Sequence, residues 1–211
     1  GAKSRELPAP EGESAQAEKE RLSDIIRDAF RNRTYRLIFI GFSTCGFNMS
    51  IIESHLFSQF VSWGISQNAA SMVMMIYGIM TMLGAMATGF LCMRFPMKNV
   101  LGTVYGLRVL ISLSMLLIPG SLPLALIATG CLGATGDSTV PPTTGLITRE
   151  FGARKMAVYY GIALVGHQVG AFLSSSFGGI CAEQFGTYAP LWAANAVLCA
   201  IAASASYAIR R

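Results

Sequence analysis

The chain has 211 residues, 53% of them hydrophobic and 13% charged, with a formal net charge of +5. Globular chains carry about 25% charged residues, and here the few charges are also clustered: residues 37–93, 109–148 and 156–209 contain no Lys or Arg, and only Glu53, Asp137 and Glu183 as acids. A soluble helical domain needs charged outer faces, so these tracts exclude one, and they equally exclude a disordered chain and a nucleic-acid binder.

The chain opens on Gly1 and has no short apolar leader with a cleavage site, which predicts a piece of a longer polypeptide. Residues 1–15, with Pro8, Pro10 and Gly12, read as a flexible linker. Residues 17–34 place Leu22, Ile25, Ile26 and Phe30 on one helical face, the pattern of an amphipathic helix at a membrane surface. The first domain is therefore 1–34, and residues 35–211 form the second.

A bilayer core takes about 20 apolar residues per helix. Six such segments follow, at about 36–62, 68–91, 98–118, 121–149, 155–180 and 187–209. Pro141–Pro142 should bend or break the fourth. Met72, Met74, Met75, Met80, Met82 and Met86 crowd the second as adaptable packing. The fifth repeats small residues at Gly166, Gly170, Ser174 and Gly178, a stripe that lets a neighbouring helix approach.

Orientation follows from the basic residues. Eight precede the first span, and Arg94, Lys98, Arg149, Arg154, Lys155, Arg210 and Arg211 fall in the second and fourth connections or at the end. Only Arg108 lies inside a span. The positive-inside rule then puts both termini in the cytoplasm, and we expect a multi-pass protein of the plasma membrane, such as a bacterial inner membrane. Trp63, Tyr188 and Trp192 fall at the outer boundary, and Tyr35, Tyr159, Tyr160 and Tyr207 at the inner one, as aromatic belts do.

Ionisable residues inside a span are costly and mark pathways or structural pairs. Counting about 1.5 Å per residue, Arg108, Asp137 and His167 reach similar depth, which makes Arg108 and Asp137 an expected ion pair or coupling pair. His55 shares a helical stripe with Asn48 and Gln59, a polar wall suited to a cavity. Glu53 lies on the opposite side of that helix. Cys45, Cys92, Cys131, Cys181 and Cys199 lack metal-ligand spacing. Neither zinc, phosphate-loop nor serine-elbow motifs occur, so no enzyme, metal or cofactor is expected.

Several segments resemble a known family. Cys45-Gly46-Phe47 with His55-Leu56, Thr139-Val140-Pro141-Pro142-Thr143 with Gly145-Leu146, and Gly166-His167-Gln168-Val169-Gly170 resemble the C-terminal half of major facilitator superfamily transporters. The closest group is the bacterial relatives of the monocarboxylate and oxalate/formate carriers. Gly89 to Lys98 is similar to the superfamily's cytoplasmic signature, with Met93 where an Asp is usual and Pro96 where a Gly is usual. Positions 53 and 137 are usually apolar or small in that group, and position 136 often a bulky aromatic. The resemblance implies an all-α membrane protein with six transmembrane helices arranged as two inverted three-helix repeats, one half of a twelve-helix fold. It further implies alternating access against an N-terminal six-helix half. Spans one, two, four and five would line the cavity, leaving three and six towards lipid. The implied cargo is a small organic anion such as a monocarboxylate, carried with protons. His55, Asn48, Gln59, His167, Gln168 and Asp137 are then the binding residues, with Arg108, Asp137 and Glu53 as ion-pair or coupling groups. A non-transporting six-helix subunit or a truncated remnant is the alternative.

Overall fold

The computed structural model describes residues 22–210. The linker expected at 1–15 and the first part of the amphipathic segment lie outside the described residues. Helix α1 is Leu22–Arg31, and the first traverse is α2 (Arg33–Ile51), a π-helical turn at Ile52–Leu56 and α3 (Phe57–Ser62). Then come α4 (Gln67–Arg94) and α5 (Met97–Leu117). The fourth traverse is α6 (Leu122–Thr135), a 3-10 turn at Asp137–Thr139 and α7 (Val140–Phe151). The last two are α8 (Ala153–Ile180), ending in a π-helical turn at Cys181–Phe185, and α9 (Ala189–Tyr207). No strand occurs among the described residues.

The helix starts follow ordinary capping chemistry. Ser66 and Ser121 accept from the backbone N–H three residues on, starting α4 and α6. Asn32 does the same for α2, accepting from the Tyr35 N–H at 3.1 Å, while its amide donates to Glu150 at 2.6 Å. Five traverses are long and apolar enough to cross a membrane as helices. The fourth is divided, and its break lies at Gly136–Thr139, ahead of the two prolines. Pro141 and Pro142 occupy the first turn of α7, where a missing N–H loses no helical bond.

The traverses form two groups of three. Helix α2 packs on α8, α4 on α6 and the turn that follows it, and α5 on α9. The first helix of each group thus meets the second helix of the other, and the third meets the third. Equivalent helices are three traverses apart, so they cross in opposite directions. This is an all-α membrane fold of inverted three-helix repeats.

The repeat also shows at single residues. In the α2–α8 seam, a side chain at Gly46 would strike the His167 carbonyl and one at Gly170 the Ser43 carbonyl. In the α4–α6 seam, a side chain at Gly84 would strike the Ala134 carbonyl and one at Gly133 the Tyr77 carbonyl. The paired glycines are separated by nearly the same stretch of chain (46 to 133, and 84 to 170). In lipid, where no hydrophobic force drives helices together, such backbone contact holds the seams. Gly166, Gly170, Ser174 and Gly178 are all buried on α8; Gly166 and Gly170 meet α2, and Gly178 meets His55 in the π-helical turn that follows α2.

Two apolar clusters fill the ends of the bundle. One gathers Tyr35, Ile38, Phe42, Tyr105, Leu146 and Tyr159 near α1. The other gathers Phe47, Leu56, Phe60, Val73, Leu132 and Trp192 towards the opposite end. Tyr35, Tyr159 and Trp192 are fully buried, so these three pack inward and do not form belts. Trp192 donates its indole N–H to Gln59 at 2.8 Å, and the Tyr35 hydroxyl donates to the Tyr159 carbonyl at 2.7 Å. A buried indole or phenol needs such a partner. The methionines of α4 are largely exposed, Met72, Met75, Met82 and Met86 among them.

The seams yield a direct test. Gly170→Val should cost about 1–3 kcal/mol or more of stability and so lower the thermal midpoint of the purified protein, because backbone cannot yield as a side chain does. Gly161→Val, with open space around it, should change little. Equal midpoints for the two variants would contradict the seam.

Candidate functional site

Between the two apolar clusters lies a buried polar layer containing Asn48, Arg108, Ser112, Thr135, Thr139 and Asn195. Arg108 is fully buried on α5. Such a charge is costly in an apolar interior unless paired. Its Nη2 donates to the carbonyls of Thr135 at 2.5 Å and Gly136 at 2.6 Å. Its guanidinium carbon stands 5.5 Å from the centre of the Tyr105 ring, a cation–π distance.

The two carbonyls are available because of the break. The 3-10 turn sends the Val140 N–H to the Asp137 carbonyl. The Thr135 and Gly136 carbonyls then need a donor from elsewhere, and they carry the negative end of the α6 dipole. Arg108 supplies both donor and charge. Across the same turn, the Thr139 hydroxyl lies 3.1 Å from the Cys45 sulfur. Neighbouring helices thus hold the break from both sides.

The expected Arg108–Asp137 ion pair is not formed. Asp137 is exposed, and Arg108 is engaged by backbone carbonyls. The expected cavity wall of Asn48, His55 and Gln59 is also corrected. Gln59 is buried against Trp192, and the His55 Nε2 pairs with the Ser175 carbonyl at 3.1 Å while its ring packs 5.5 Å from Tyr188. That stripe ties the first traverse to α8 and α9. Asn48 is fully buried, and neither of its amide atoms has a hydrogen-bond partner.

The remaining residues fall into two groups. His167 is half-buried on α8, 5.0 Å from the Phe42 ring, with a buried Nδ1 that has no partner. Its backbone abuts Gly46, the neighbour of Cys45, across the α2–α8 seam. Its neighbour Gln168 is exposed. Glu53, in the π-helical turn, and Asp137, in the 3-10 turn, are both exposed. Tyr77 on α4 lies between them: its hydroxyl contacts the Met49 sulfur one turn before Glu53, and it also lines the space above Gly136.

Cys45, Tyr77 and Tyr105 are the residues that sequence reading missed. Cys45 carried a usable signal, since it stands three residues from Asn48 on one face of α2. The hydroxyl of Tyr105, which donates to the Gly41 carbonyl at 2.5 Å, had none. Among the described residues no group of His, Cys, Asp and Glu is placed to hold a metal ion.

Six traverses in two inverted groups, with an interrupted helix beside a buried polar layer, define the membrane domain of a transporter. Residues 37–211 match the family model of the Major Facilitator Superfamily, and the chain belongs to that superfamily. No protein of curated function matches it. The chain is thus a multi-pass, membrane-embedded member of a family of transporters rather than of enzymes.

Arg108 and Asp137 now make separable contributions. Arg108→Gln removes a charged donor from two buried carbonyls and should cost about 1.5–3 kcal/mol of stability. Asp137→Asn should leave thermal stability unchanged, and the double variant should match Arg108→Gln alone. Recovery of stability in the double variant would restore the ion pair.

Proposed function

We propose that the chain is half of a secondary transporter that moves a small organic anion, of the monocarboxylate type, together with protons. It works by alternating access against a second six-helix bundle, with both ends of the chain in the cytoplasm. One observation carries this reading: a fully buried arginine without a carboxylate partner, seated at an interrupted helix. Broken helices beside buried charge are where transporters of inverted-repeat design bind cargo and coupling ions. His167, half-buried next to that centre, suits hydrogen bonding to a carboxylate or carriage of a proton. Asp137 is the exposed carboxylate nearest the break and supplies a second proton site.

A different cargo charge is favoured by one feature. Glu53 and Asp137 are both exposed on either side of Tyr77, and a cationic cargo would meet them first. The test is uptake by the full-length transporter in proteoliposomes under an inward proton gradient, with lactate and formate as anionic probes and a quaternary ammonium as the cationic one. Lactate or formate should accumulate. His167→Ala should lower uptake by about tenfold or more, the loss of one hydrogen bond to a charged group, with folded protein unchanged. Accumulation of the ammonium probe alone would replace the anion reading with the cation one.

A further inference from the structure

Arg108 is only partly used by the fold. Its Nη2 is committed to the Thr135 and Gly136 carbonyls, while Nε and Nη1 are buried and have no hydrogen-bond partner. The Nδ1 of His167 is in the same state. Cys45 lies between them: its sulfur touches the Thr139 hydroxyl at 3.1 Å in the turn that Arg108 holds, and its neighbour Gly46 abuts the His167 backbone, so the two side chains approach the same stretch of α2 from α5 and α8. Asn48, one turn from Cys45 on the same face of α2, adds a fully buried amide with no partner. No carboxylate closes this group among the described residues.

Unpartnered buried polar groups are rare and call for an explanation. The open Arg108 nitrogens are donors only, Asn48 adds an amide donor beside its acceptor oxygen, and the His167 ring nitrogen takes either role, so donors outnumber acceptors and the only formal charge among them is positive. A ligand that satisfies them together is an acceptor with negative charge. We propose that the open nitrogens of Arg108, with His167 and Asn48, form an occluded subsite for the carboxylate of the cargo. The inference rests on the organic-anion reading above. It moves recognition onto α5, the third helix of its group, whose family analogy is a lipid-facing role. It also gives Arg108 two tasks: Nη2 holds the broken helix, and the opposite side of the same guanidinium receives the anion. Cargo binding is thereby linked mechanically to the break in the fourth traverse.

The experiment is thermal unfolding of the full-length transporter titrated with sodium formate, with sodium chloride at matched ionic strength as the second arm. A ligand that binds only the folded state raises the midpoint in a saturable way. Formate should do so in the wild-type protein, and chloride should not. Arg108→Lys keeps the charge and loses the planar fork, and His167→Gln keeps a donor with altered geometry. Each should weaken the half-saturating formate concentration by about tenfold or more. Both are conservative, so the test survives if Arg108→Gln fails to fold. The subsite is overturned by an absent formate response in the wild type, by an equal response to chloride, or by unchanged half-saturation in both variants. Formate binding that depends on Arg108, in a protein that transports no carboxylate, would sustain the subsite and remove the cargo reading. Carboxylate uptake that Arg108→Lys leaves intact would do the reverse.

Discussion

A backbone carbonyl inside a bilayer needs a donor from the protein, because water is not there to provide one. The fourth traverse breaks that rule at Thr135 and Gly136 and repairs it with Arg108. Much of the centre follows from this repair. It places a positive charge in the middle of the bundle and brings α5 against the end of α6. The 3-10 turn it holds leaves Asp137 exposed. The neutralising charge comes from a helix end and an aromatic face rather than from a carboxylate, which leaves part of the guanidinium open.

The inverted repeat explains why the interruption sits where it does. The first helix of each group is interrupted within its span, by a π-helical turn in the first traverse and a 3-10 turn in the fourth, whereas the π-helical turn at Cys181–Phe185 only ends α8. Each of the two interruptions carries one exposed acid, Glu53 or Asp137. The seams beside them rest on glycines in nearly the same register, so the two halves of the fold bring their backbones together alike. The groups differ in what occupies the interior: α5 contributes Arg108, whereas α9 contributes the neutral Asn195, whose amide donates to Ser112 at 2.8 Å. A scaffold built by repetition thus holds a centre that is chemically one-sided.

Much of the architecture was legible in the sequence, because hydrophobic length and small-residue spacing are local properties. Tracts without charge marked the membrane segments, and the four-residue stripe on α8 marked a packing seam. The site was less legible, because a partner in space leaves no trace in spacing. Equal depth suggested that Arg108 and Asp137 would pair, but depth does not reveal that a backbone carbonyl has been freed nearby. The His55, Asn48 and Gln59 stripe was read as one cavity wall, yet its members meet α8, the interior and α9 separately. The inverted repeat was implied by the family resemblance, but its trace in single residues escaped notice because it survives in four glycines and not in the residues around them. Pro141 and Pro142 pointed to the right helix and missed the break by a few residues, since prolines are tolerated in a first turn and the irregularity precedes it.

The central claim is that Arg108 holds the interrupted helix. Hydrogen–deuterium exchange of the purified full-length transporter tests it most directly, by comparing wild type with Arg108→Gln over the peptides that span residues 133–147. If the guanidinium holds the break, exchange there should accelerate in the variant while the α2–α8 seam keeps its wild-type rate. Unchanged exchange across 133–147, in a variant that is otherwise folded, would contradict the account.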